Sequence, residues 1–246
     1  MKNLRLIRFQ IFLFLFLINC LNGKFVTAAS QGQLDRIQVM MVDKPNIDHQ
    51  NSFNQTALIL ASKNGYQQVV QFLIQKNADL NKQDKLGNTA LHYASKEEYP
   101  EIVELIANAK ADLDIKNNAG ETPLYLASYA GNIQIIESLL SKKANPNLGK
   151  DDKNTPLLIA TKRGFLKATN LLLAAKASTE VFNDEERSPL LKSIELGRVD
   201  IFQALVIAGA NLHAKNKFDQ DAYLFLNYYG EIEMLQFALK HSTKIK

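Results

Sequence analysis

The segment that decides the fold runs Thr122-Pro123-Leu124-Tyr125-Leu126-Ala127-Ser128-Tyr129-Ala130-Gly131-Asn132-Ile133-Gln134-Ile135-Ile136-Glu137-Ser138-Leu139-Leu140. It opens with a hydroxyl at a helix N-cap and a proline at the first helical position. There the threonine oxygen can satisfy a free backbone donor, and the missing proline N–H costs nothing. Gly131 closes this helix, because glycine takes the left-handed conformation that reverses the chain cheaply. Beyond it, Ile135, Ile136, Leu139 and Leu140 form an i, i+1, i+4, i+5 stripe, the apolar face of a second helix. One short helix pair cannot bury such a face alone, so the segment predicts neighbours of its own kind.

Those neighbours stand at a period of 33 residues in both directions. Thr56, Thr89, Thr122, Thr155 and Ser188 share one phase. Nine residues after each come Gly65, Glu98, Gly131, Gly164 and Gly197, and the series extends outward to Gly32 and Gly230, so six of the eleven glycines share a phase. Ala78, Ala111, Ala144, Ala177 and Ala210 mark another phase, and Leu58, Leu91, Leu124, Leu157 and Leu190 a third. The second-helix stripe recurs as Val69, Val70, Leu73 and Ile74 and as Ile201, Phe202, Leu205 and Val206. Repetition at several phases of one period predicts an all-α solenoid in which stacked helix pairs close a continuous core.

Thr89-Ala90-Leu91-His92-Tyr93-Ala94, Thr122-Pro123-Leu124-Tyr125-Leu126-Ala127 and Thr155-Pro156-Leu157-Leu158-Ile159-Ala160 resemble the signature of ankyrin repeats. The resemblance covers residues 24 to about 241. It implies stacked helix-turn-helix units with short β-hairpin-like loops. It divides the chain into a partial unit at 24–55, full repeats at 56–88, 89–121, 122–154, 155–187 and 188–220, and a capping unit at 221–246. Several units depart from the pattern. The signature histidine survives only as His92, Glu98 replaces a turn glycine, and Pro100 is placed to open a second helix. Asp221-Ala222-Tyr223-Leu224 has lost the Thr-Pro-Leu pattern, and Glu231, Glu233, Gln236 and Lys240 give the last helix the polar face of a cap.

The front of the chain reads differently. Lys2, Arg5 and Arg8 precede the apolar run Ile11-Phe12-Leu13-Phe14-Leu15-Phe16-Leu17-Ile18, the layout of a cleaved signal peptide over residues 1–23. As a helix that run would cover about 12 Å, too short for a hydrocarbon core of about 30 Å, so no membrane span is expected after cleavage. Cys20, Gly23 and Ala28 are each tolerable cleavage points. Gly23 is favoured, because the repeat register puts a helix over residues 24–31, and cleavage after Ala28 would discard half of it. The expected destination is outside the cell or the periplasm. Leu17-Ile18-Asn19-Cys20 offers a lipid anchor at Cys20 as the alternative.

Composition narrows the function classes. A single cysteine excludes an internal disulfide or a thiolate metal cluster. The net charge of +4 belongs mostly to the leader, for without residues 1–23 the chain carries 26 basic and 25 acidic side chains. Lys162, Arg163 and Lys167 are offset by acids on other repeats, so no positive stripe forms and nucleic acid is not the expected partner. His49, His92, His213 and His241 lack helical ligand spacing, and no phosphate loop or nucleophile elbow is present. No metal or other cofactor is expected. Tyr66, Tyr99 and Phe165 share a phase, which reads first as packing between repeats and second as an exposed contact row.

The ankyrin resemblance implies a partner-binding surface on loop tips and the exposed side of the first helices. Mapped onto this sequence it selects Lys96, Tyr129, Asp151, Asp152, Lys162, Arg163, Arg187, Phe218, Tyr228 and Tyr229. The expected function is an exported, monomeric, non-catalytic scaffold for another protein. A hydrolase using scattered carboxylates, or a nucleic-acid-binding module, is the alternative.

Overall fold

The computed structural model describes residues 20–242; of the predicted leader, 1–23, residues 1–19 lie outside them. The described residues are helical, with no strand among them. They divide into two compact units that part between Asp112 and Leu113, inside the predicted repeat 89–121.

In the first unit, helix α1 covers residues 20–30, followed by α2 (Leu34–Met40) and a 3₁₀ turn (Met41–Asp43). Then come the pairs α3 (Ala57–Lys63) with α4 (Gln67–Gln75) and α5 (Ala90–Lys96) with α6 (Pro100–Asn108). The second unit holds α7 (Pro123–Ala130) with α8 (Ile133–Ser141), α9 (Pro156–Arg163) with α10 (Leu166–Ala174), α11 (Pro189–Glu195) with α12 (Val199–Ile207), and α13 (Ala222–Tyr229) with α14 (Ile232–Ser242). Within each unit the helices form two layers, first helix on first helix and second on second. Thus α7 packs on α9, α9 on α11 and α11 on α13, while α8, α10, α12 and α14 pack in the same order. Leu58, Leu91, Leu124, Leu157 and Leu190, the recurring leucine phase of the first helices, are all buried.

Local chemistry explains where these helices begin. The side chains of Thr56, Thr89, Thr122, Thr155 and Ser188 each accept from the backbone N–H three residues on, and Asp221 keeps the role where the signature is lost. Such a cap is worth about 1 kcal/mol. Gly131, Gly164 and Gly230 close their helices in the left-handed conformation, as does Gly65 one residue after the C-cap of α3, and Glu98 adopts it at φ 61°. Pro100 opens α6 as its sequence position predicts.

The turn glycines serve a second purpose that the sequence does not announce. A Cβ on Gly32 would stand 2.6 Å from the Tyr66 ring, one on Gly65 2.8 Å from Tyr99, and one on Gly131 2.7 Å from Phe165. The shared aromatic phase is therefore packing of each ring on the turn of the preceding repeat. Arg198 takes the same place over Gly164, at 2.9 Å.

The loops are held by side chains rather than strands. Asn51, Asp84, Asn117 and Asn216 each accept two backbone N–H groups across their tip, and two backbone bonds close each tip, as Asp84 N–H to Asn88 C=O and Gly87 N–H to Asp84 C=O. A second series links repeats: Asp48 accepts from Asp79 N–H, Asn81 from Asp112, Asp114 from Asn145, Asn147 from Ser178 and Glu180 from Asn211.

The first helix reaches further toward the N-terminus than the repeat register predicts. Helix α1 already includes residues 20–23, and Asn22 is buried, its Oδ1 accepting from Asn46 N–H at 2.9 Å. In the last helix Glu233, Gln236 and Lys240 are exposed, as a cap requires, but so are Ile232 and Leu239.

Candidate interaction surface

Nine of the ten candidate residues lie in the second unit; Lys96, the exposed last residue of α5, lies in the first. Repetition gives the nine their placement. Tyr129, Lys162 and Tyr228 occupy one register position near the end of a first helix, and Arg163 and Tyr229 the next. Asp151, Asp152, Arg187 and Phe218 stand on the loop tips.

Two groups form among them. At the end of α9 the Arg163 guanidinium sits over the Tyr129 ring at 4.7 Å and 5.7 Å from the Phe165 ring centroid. Toward the C-terminus, Arg187, Gln220, Leu224, Phe225, Tyr228 and Tyr229 line a cleft of about 500 Å³. Tyr229 is tilted against Phe225 at 5.9 Å and meets Tyr228 edge-on at 5.0 Å. Tyr228 is 81% exposed and Tyr129 49%, so both rings are available for contact.

Arg187 is more than an exposed anchor. Its Nε donates to Glu195 at 2.6 Å, its Nη1 to the Glu185 carbonyl at 3.1 Å, and its guanidinium lies 4.9 Å over the Phe225 ring. Glu195 also accepts from Lys192 Nζ at 3.1 Å, and Lys192 reaches Glu185 at 3.6 Å. Burial opposes ionisation of Glu195, but the hydrogen bonds and charges of Arg187 and Lys192 outweigh it and hold the carboxyl below the usual range. Sequence reasoning missed Lys192 and Phe225. The available signal was a lysine at the register of Leu60, Tyr93, Leu126 and Ile159, a position otherwise apolar or aromatic.

The remaining candidates are scattered. Asp152 contributes its carbonyl, which accepts from Asp184 N–H at 3.1 Å and joins two tips. Phe218 lies under the Lys217 ammonium at 5.2 Å. Asp151 and Lys162 are exposed and form no ion pair among the described residues. Beside this surface Tyr125 is largely buried; burial first, then the charges of Asp152 and Glu121, push its phenol up to about 12. Its hydroxyl therefore stays neutral at physiological pH.

Among the described residues no group of three or more histidine, cysteine or acidic side chains is placed to hold a metal ion, and no helix is long and apolar enough to cross a membrane.

The family described as ankyrin repeats (3 copies) matches residues 25–117, 83–150, 109–182 and 124–216. The chain belongs to the ankyrin-repeat family. Among solved structures it is similar to the ankyrin repeat domain of Bcl-3, described as a unique member of the IkappaB protein family, with a TM-score of 0.79. That similarity covers 86% of this chain and 97% of the Bcl-3 domain at 23% identity, a likeness of fold. No curated protein matches the chain in sequence. Ankyrin repeats are modules of protein–protein interaction, which sets the class of function to which the surface belongs.

Proposed function

We propose that the chain is an exported, non-catalytic scaffold that docks one protein partner on the first-helix ends and loop tips of its second unit. The exposed aromatic side chains carry this reading: Tyr129, Phe218, Tyr228 and Tyr229 recur at tip and helix-end positions while the core phases hold constant. Large aromatic and arginine side chains supply most of the energy of a typical interface. Lys96 is left outside the proposal. Export rests on the basic residues and apolar run of the leader.

The test is capture of a partner from the exported compartment, followed by calorimetric titration of variants. Tyr129→Ala and Arg163→Ala should each weaken binding by about 1–4 kcal/mol. Glu137→Ala, at an exposed position on the second helix α8, is the control. Equal weakening by all three, or none from the two anchors, would overturn the assignment of the surface. N-terminal sequencing of exported material tests the leader.

A further inference from the structure

The docking surface contains two arginines in opposite states. Arg187 is tied to Glu195 and to backbone carbonyls. Arg163 has no hydrogen-bond acceptor and no carboxylate partner among the described residues, although it is exposed and stacked on Tyr129 and near Phe165. Its neighbour Lys162 is equally without an ion pair. Elsewhere in this unit Lys150, Lys153, Lys192, Lys215 and Lys217 each pair with a carboxylate. The chain thus neutralises many of its tip and first-helix cations but leaves two adjacent ones open, one of them fixed by aromatic rings.

We propose that the partner presents a peptide segment with an isolated acidic residue and a large apolar one, its carboxylate on Arg163 and the apolar side chain in the cleft lined by Leu224, Phe225 and Tyr229. The proposal rests on the docking surface described above. The Tyr129 ring lies 4.7 Å to one side of the guanidinium, none of whose N–H groups is hydrogen-bonded among the described residues, and a carboxylate can accept two parallel hydrogen bonds from such a group. Because the rings already hold the side chain, little rotamer freedom remains to be lost on binding. A single carboxylate fits better than a run of charges, whether phosphates or consecutive acids, since Asp151 and Asp152 stand on a tip of the same unit without an ion pair among the described residues and would repel a polyanion. The apolar pocket lies on the same series of first-helix ends, Tyr229 holding the register position of Arg163 two repeats on.

The test uses a random linear peptide library selected on the full chain, then titration of the selected peptides. Enriched sequences should pair Asp or Glu with a large apolar residue. Replacing that acid by its amide should weaken binding about tenfold to the parent chain and less than about twofold to Arg163→Gln, with Arg163→Lys between them. Unfolding midpoints of both variants serve as the folding control. The proposal falls if no peptide is enriched, if enrichment lacks acids, if the amide costs the same on parent and Arg163→Gln, or if single-stranded RNA binds more tightly than any peptide. Loss of binding in Tyr229→Ala with no effect of Arg163→Gln would remove the acidic partner and keep the surface. Weakening by Glu137→Ala with neither of these would remove the surface itself.

Discussion

Arg187 and Glu195 bracket helix α11: the guanidinium stands just before its N-cap, the carboxylate is its last residue, and they meet at 2.6 Å. Lys192 binds the second carboxylate oxygen, so two cations converge on one acid. Since the folded state holds Glu195 below its ordinary value, its contribution to stability is full above the unfolded value of about 4.3 and is lost as pH falls through the lowered one. Glu195→Gln should cost about 1 kcal/mol at neutral pH. Urea unfolding of both chains should show this gap closing as the solution is acidified below the ordinary carboxylate range; a gap that persists there would contradict the ion-pair account.

The turn of α3 should resist any side chain. Gly65 has φ 77°, and a Cβ there would meet the Tyr99 ring at 2.8 Å. The left-handed backbone costs a non-glycine residue about 1–2 kcal/mol and overpacking adds about 1–3. Gly65→Ala should therefore lose about 2–5 kcal/mol, of which Tyr99→Ala in the same chain recovers only the overpacking part. Denaturant titration of both variants measures the split.

Residues ahead of Lys24 should stabilise the first unit. Removing the Asn22 side chain leaves Asn46 N–H without its acceptor, so Asn22→Ala should cost about 1–2 kcal/mol. A chain beginning at Leu21 should unfold at a higher denaturant concentration than one beginning at Lys24. Equal midpoints would show that α1 contributes nothing before Lys24.

Core and surface should separate cleanly in the second unit. Leu124, 1% exposed, lies in the packed first-helix layer, and Leu124→Ala should cost about 2–5 kcal/mol. Tyr228→Ala, at an 81% exposed ring, should stay within about 0.5 kcal/mol in stability. Thermal unfolding distinguishes the two, and a large loss from Tyr228→Ala would mean that its ring is structural.

The fold was legible because each unit is written in local chemistry. A threonine cap, a proline at the first helical position and a left-handed glycine act within a few residues of themselves, and the period repeats them. The aromatic phase of Tyr66, Tyr99 and Phe165 was visible, but its purpose depended on a glycine 34 residues earlier, a contact that only stacking creates. The candidate surface was legible as a set of positions and not as a set of partners. Lys192 and Glu195 are three residues apart and could have been paired by helix geometry, whereas the approach of Glu185 to Lys192 and of Phe225 to Arg187 comes from tertiary packing. The repeat register located most of helix α1, but its residues 20–23 were obscured by the run Ile11 to Ile18, and nothing in the sequence joins Asn22 to Asn46. The parting of the two units at Asp112 leaves no trace in composition.

The contact of ring on turn glycine also constrains the order in which these repeats can diverge. A mutation that gives Gly32, Gly65 or Gly131 a side chain meets a ring already in place, while one that shrinks the ring first opens the space that a later side chain can occupy. Of the two paths to the same double change, the one through the smaller ring avoids the crowded intermediate. The effect of a mutation at one repeat is thus conditional on the history of the next, and single-site tolerance measured on this chain will understate what its descendants can accept.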